Sequence, residues 1–129
     1  AGVAAVAQGR GGALVDLNGD GLQDMVVVNR NAPAELWRNL GPGGNWVAIQ
    51  PQMDGANRDA VNAWVELRAG ELVQRQEVLV GGGQAGGVLV PLHFGLGPAT
   101  EAAARVIWPD GVTGDWVPVT PGKVNLLTR

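Results

Sequence analysis

The nine residues Asp16-Leu17-Asn18-Gly19-Asp20-Gly21-Leu22-Gln23-Asp24 constrain this chain more than any other stretch. Oxygen-bearing side chains stand at loop positions one, three, five and nine, a glycine at six, and position seven offers the Leu22 carbonyl. A hard divalent cation takes six to eight oxygens, and alternate residues of a tightly wound loop supply them. The spacing therefore predicts a calcium site built from Asp16, Asn18, Asp20, the Leu22 carbonyl and Asp24. A plain hairpin turn needs two such residues, not four acceptors in register. An EF-hand would close with a bidentate Glu at position twelve on a following helix. That position is Val27, inside the β-branched run Met25-Val26-Val27-Val28, so the loop is expected to lie between two strands with Asp24 closing it.

The rest of the chain reads as short strands separated by turn residues. The 21 glycines and 8 prolines are spread as punctuation between apolar runs, which predicts an all-β chain of about ten strands. Asn62 to Ala69 alternates, with Ala63, Val65, Leu67 and Ala69 on one face and Trp64, Glu66 and Arg68 on the other. A turn at 69–71 leads into a second strand from Leu72, giving a hairpin. Further strands are expected around Glu35–Asn39, Trp46–Gln50, Leu89–Phe94, Arg105–Trp108, Trp116–Val119 and Lys123–Thr128, and Glu101–Arg105 is expected to form one helical turn. Residues 1–12 are read as a loose start and 81–87 as a glycine-rich loop. The Gly-Pro-Gly-Gly stretch at 41–44 is the best boundary, dividing a three-stranded unit at 1–45 from an antiparallel β-sandwich or barrel-like domain at 46–129. A three-stranded unit with an ion loop between its first two strands has the shape of a partial propeller blade, which buries a face only against a neighbour.

Composition excludes several function classes. A net charge of −3 with scattered basic residues gives no footprint for nucleic acid or anionic membrane. No apolar run approaches the length that spans a bilayer, and a soluble chain without a membrane span is expected. With no Cys, Ser or Tyr and a single His, nucleophilic catalysis within the chain is not expected. His93 has no second imidazole for a zinc site and is read as a core or edge residue. Glycines 81–83 lack the Lys-Ser/Thr of a phosphate loop. The five tryptophans are expected mainly at sheet interfaces, and Asp54, Asp59, Asp110 and Asp115 in turns. The short 41–44 linker favours packing within one molecule, and a monomer is expected.

Two sets of motifs carry a family resemblance. Gly12 to Asn29, followed by Trp37-Arg38-Asn39, resembles the calcium-binding repeat of integrin-type propellers, the FG-GAP or VCBS class. From Trp46 onward, Asn57-Arg58-Asp59-Ala60, Val78 to Gly83, Leu92-His93-Phe94-Gly95-Leu96-Gly97 and Trp108-Pro109-Asp110-Gly111 resemble the ASPIC/UnbV domain of cartilage-acidic-protein-like proteins. The resemblance implies a secreted or cell-surface protein in which this chain is the last repeat and the terminal domain. Asn62 stands where the family often has Gly, and Asn also tolerates left-handed φ. The implied function is a calcium-binding adhesion or recognition module, non-enzymatic on its own, with a protein or glycan ligand. The alternatives are the C-terminal part of a calcium-dependent biosynthetic enzyme and a glycan-binding module.

Overall fold

The computed structural model describes residues 3, 6–81, 84 and 86–129. These form ten strands in three sheets. The chain divides into two compact units, one made of Ala1–Gly43 with Val80–Val88, the other of Gly44–Leu79 with Leu89–Arg129. The loose start read at 1–12 and the glycine loop read at 81–87 fall partly outside the described residues, at 1, 2, 4, 5, 82, 83 and 85.

In the first unit β1 (Gly9–Val15), β2 (Asp24–Asn29) and β3 (Glu35–Trp37) make an antiparallel sheet in that order. The Val26-Val27-Val28 run takes the central strand, where branched side chains fit a pleated surface. Its register sets Val15 opposite Asp24 and Ala13 opposite Val26, so residues 16–23 are the connection that turns β1 into β2. The strand β1 starts four residues earlier than the apolar run Ala13-Leu14-Val15 suggests, because pairing with β2 continues back to Gly9 opposite Asn29. Beyond β2, the Asn29 amide donates to the Pro33 carbonyl at 3.0 Å and to Glu35 at 2.6 Å, fixing the turn into β3. Gln84 and residues 86–88 belong to this unit. Gln84 N–H donates to the Arg10 carbonyl at 3.2 Å, and the Arg10 guanidinium returns a 3.0 Å bond to the Gln84 side chain.

The second unit is a β-sandwich. One sheet runs β10-β4-β7, from β4 (Asn45–Gln52), β7 (Leu92–Gly97) and β10 (Val124–Thr128), with β10 parallel to β4. The other runs β6-β5-β8-β9, from β5 (Trp64–Ala69), β6 (Leu72–Glu77), β8 (Ala102–Ile107) and β9 (Val117–Val119), antiparallel throughout. Val47, Ile49, Phe94 and Leu96 of the first sheet meet Val65, Leu67, Ala104 and Val106 of the second in one buried cluster. The alternation read over Asn62–Ala69 is therefore that of a half-buried strand. Neither sheet closes on itself, so the sandwich holds and the barrel does not.

Along one side of the sandwich, Gln74 and Gln76 share the inner face with Leu67 and Val65. Their amides donate to the Gly95 and His93 carbonyls at 2.7 Å each. The backbone acceptors of edge strand β7 are thereby taken up by side chains.

The helical turn expected at Glu101–Arg105 is absent: Ala102–Ile107 is strand β8. Alanine's helical preference is a few tenths of a kcal/mol per residue, less than one residue's gain from burying Ala104 and Val106 and completing the ladder with β5. The turn before β5 has two non-glycine residues at positive φ, Ala60 at 50° and Asn62 at 71°. Asn62 thus adopts the left-handed conformation expected of it. Asn57 holds that turn with its side chain, accepting from Val61 N–H and donating to the Val61 carbonyl, both at 3.0 Å.

Candidate metal loop

The loop between β1 and β2 is wound around Asp16. One carboxylate oxygen accepts from Gly19 N–H at 2.8 Å and Asp20 N–H at 3.2 Å, and the other accepts from Gly21 N–H at 2.8 Å. Asn18 accepts from Asp20 N–H at 3.2 Å and donates its amide to Asp20 at 2.8 Å. Asp20 accepts from Leu22 N–H at 2.9 Å. Gly21 sits at φ 84°, a conformation that a side chain would strain, which explains glycine at the sixth position. Position by position, Asp16, Asn18 and Asp20 form one acceptor-rich turn, with Leu22 at its exit.

Asp24 does something different. It is 3% exposed, and its two oxygens accept from Asn39 N–H at 2.8 Å and Leu17 N–H at 3.3 Å. It therefore ties the loop entrance to the segment that follows β3. Sequence reasoning assigned Asn39 to the end of a strand, whereas β3 stops at Trp37. Asn39 instead donates its side chain to the Gln23 carbonyl at 3.3 Å and accepts from Gly41 N–H at 3.0 Å. The signal lay in the Trp-Arg-Asn triplet, where an Asn after a strand marks a turn. Arg38 was also missed as a neighbour of the loop: its guanidinium lies 3.4 Å from Asp20.

Asp20 is held below its ordinary value of 3.8 by the Leu22 N–H, then by the Asn18 amide and the Arg38 guanidinium. The carboxylate is thus ionised at neutral pH with its charge facing solvent. Among the described residues no three His, Cys, Asp or Glu side chains are gathered as a metal-holding group. The donor set nonetheless fits a hard cation in kind. All four side chains offer oxygen, three of them as carboxylates, and oxygen is what calcium takes. Their N–H partners fix the orientation of the carboxylates, as outer partners do around metal ligands.

The other candidates separate clearly. His93 lies on edge strand β7, and its ring stacks on Trp46 with centroids 5.3 Å apart and planes 13° from parallel. Trp108 is buried at 7% exposure. Trp37, Trp46, Trp64 and Trp116 are only half-buried, so the expectation of interface burial holds for one of the five. Asp110 does stabilise its turn, accepting from Val112 N–H at 3.2 Å, and it pairs with Arg129 at 2.7 Å. No helix among the described residues is long and apolar enough to cross a membrane.

With the sandwich and the loop in view, comparison with known proteins places the chain. It belongs to the ASPIC and UnbV family, whose sequence pattern matches residues 53–128. It is similar to cartilage acidic protein 1 of Homo sapiens, 31% identical over 110 residues that cover 81% of this chain and 16% of the relative. The Mus musculus protein of that name is also 31% identical, over 81% of this chain and 17% of the relative, and the Xenopus tropicalis one is 30% identical over the same shares. The chain spans about a sixth of the length of these relatives.

Proposed function

We propose that this chain is a calcium-stabilised recognition module of an extracellular protein, secreted or held at the cell surface, and is not an enzyme on its own. The observation that carries the calcium reading is the winding of the Asp16–Asp24 loop. Three backbone N–H groups converge on Asp16 and a positive-φ glycine sits at position six, a winding that supports the reading of Asp16, Asn18, Asp20, the Leu22 carbonyl and Asp24 as the ligand set. In this reading residues 1–45 are a repeat of the FG-GAP or VCBS class and 46–129 the ASPIC/UnbV-like domain. The relatives' name associates them with cartilage, a tissue that is mostly extracellular matrix, which supports the compartment. A chain without Ser, Cys or Tyr supports binding over nucleophilic chemistry.

A ligand that binds only the folded state stabilises it, by about 2.7 kcal/mol at a hundredfold excess over Kd. Thermal melts in calcium and in chelator should therefore differ for the wild type and coincide for Asp20→Ala. Coincident wild-type melts would reject the calcium assignment.

A further inference from the structure

The connection between β1 and β2 holds one pair of residues whose own chemistry the calcium reading does not use. Of the eight asparagines in the chain, Asn18 alone is followed by glycine. Asparagine is among the thermolabile residues of proteins, because the backbone nitrogen of the next residue can attack its Cγ. A Cβ on that next residue crowds the succinimide ring as it closes, and glycine brings none. Asn18 and Gly19 are both exposed, and beyond the chain neighbours nothing lies within 4 Å of where a Gly19 Cβ would stand. The approach is therefore open.

Two sets of contacts hold the reacting atoms back. The Gly19 nitrogen, the nucleophile, donates its proton to Asp16 at 2.8 Å. The Asn18 amide, the electrophile, is held by Asp20 at both ends: its nitrogen donates to the Asp20 carboxylate at 2.8 Å and its oxygen accepts from Asp20 N–H at 3.2 Å. Attack needs the Gly19 nitrogen to lose its proton and Cγ to swing onto it, so each group must first release its partner. The closed loop is the guarded form and the open loop the reactive one. The Asp-Gly pairs at 20–21, 54–55 and 110–111 offer the same unhindered nitrogen, but the carbon of an ionised carboxylate is a poorer electrophile than that of an amide.

We propose that Asn18 is a modification site of this chain, converted to aspartate and isoaspartate by the chain itself when the loop opens. The Gly19 nitrogen gives its proton to water and forms a bond to Asn18 Cγ. The Cγ–Nδ2 bond then breaks, and ammonia leaves with a proton taken from solvent. Water opens the resulting succinimide, giving aspartate by attack at one carbonyl and isoaspartate by attack at the other. No oxidant, reductant or cofactor enters the reaction.

The product cannot restore the closed loop. An aspartate at 18 has no N–H to donate and sets a second carboxylate against Asp20 where the 2.8 Å bond stood. Isoaspartate carries the main chain through the β-carbon and lengthens it by one atom, which throws the N–H groups of Gly19, Asp20 and Gly21 out of register with Asp16. The conversion is thus a one-way switch that records each opening of the loop. It needs no metal, so its test runs in chelator and succeeds or fails independently of the calcium reading.

The 129-residue chain is incubated in chelator at mildly alkaline pH, folded and in guanidinium chloride, and its tryptic peptides are mapped by mass spectrometry with fragmentation that separates Asn, Asp and isoAsp. Conversion in the folded chain should be confined to position 18 and run at least about tenfold slower than in guanidinium, because a site that reacts only when open is slowed by the rarity of opening. Asp20→Ala, which frees the Asn18 amide, should speed conversion at least about threefold while the amides of Val26 to Val28 in β2 keep their wild-type exchange rates. Asn18→Asp, made directly, should accelerate exchange of the Gly19 and Gly21 amides. Equal rates in folded and unfolded wild type, earlier conversion at another asparagine of the folded chain, or an Asp20→Ala rate no different from wild type would each overturn the proposal. So would acceleration in that variant accompanied by loss of β2 protection, or unchanged Gly19 and Gly21 exchange in Asn18→Asp.

Discussion

Removing the Asp24 carboxylate should loosen the β1–β3 sheet even when no calcium is present. Asp24 is 3% exposed and accepts from Asn39 N–H at 2.8 Å and from Leu17 N–H at 3.3 Å. A hydrogen bond to a charged group contributes about 1.5–3 kcal/mol, and a longer bond lies at or below the lower end. Asp24→Ala loses both and should therefore cost about 3 kcal/mol. Asp24→Asn keeps one oxygen, which can accept from Asn39, but turns an NH₂ toward the Leu17 N–H. That change should cost about half as much. Amide hydrogen exchange of β2, measured in chelator, reads the opening of this sheet in particular. At 1.4 kcal/mol per factor of ten, exchange should accelerate about a hundredfold for the Ala variant and about tenfold for the Asn variant. Amides of Leu67 and Val106, in the other unit, should keep their wild-type rates. If β2 exchange changed by less than about threefold in both variants, Asp24 would not be the tie between the loop and the segment after β3.

Two further outcomes follow from other contacts. Gln74→Ala with Gln76→Ala removes the donors that occupy the Gly95 and His93 carbonyls on edge strand β7, and unpaired edges template pairing between chains. Light scattering should show concentration-dependent association that the wild type lacks, and a monodisperse double variant would contradict the edge role. Asp110 is held below its ordinary 3.8 by the Arg129 side chain and then the Val112 N–H, and Asp20 by the Leu22 N–H and then Asn18. A folded pKa below the unfolded one contributes stability that is complete above the ordinary value and is lost as pH falls through the lowered one. Carboxyl ¹³C titration should accordingly place both midpoints below 3.8, and a midpoint at or above it for either residue would refute the assigned contacts.

Periodicity and punctuation made most of this fold legible. The two-residue alternation of Asn62–Ala69 identified both faces of β5 because one side is core and the other solvent. The Val26–Val28 run announced β2. What failed was the alanine stretch at 101–105, since a small side chain carries no alternation to read and its weak helical bias yields to sheet pairing. The tryptophans failed for a related reason. Type alone says that an indole is large, not that Arg68, Arg75 and Arg105 stand beside it to cover its face. In the loop, spacing singled out the side chains of Asp16, Asn18, Asp20 and Asp24, but it could not tell that Asp24 anchors Asn39, fifteen positions away. Such a contact depends on where β3 ends, which local pattern does not encode.

Calorimetric titration of calcium into chelator-treated, desalted protein tests the central claim most directly. One binding event per chain is expected, with the amide signals of Gly19, Gly21 and Leu22 moving in step, and with heat and shifts both lost in Asp20→Ala. Absence of heat and of loop shifts at millimolar calcium, or full retention of both in Asp20→Ala, would contradict the assignment of Asp16, Asn18, Asp20, Leu22 and Asp24 as a calcium site.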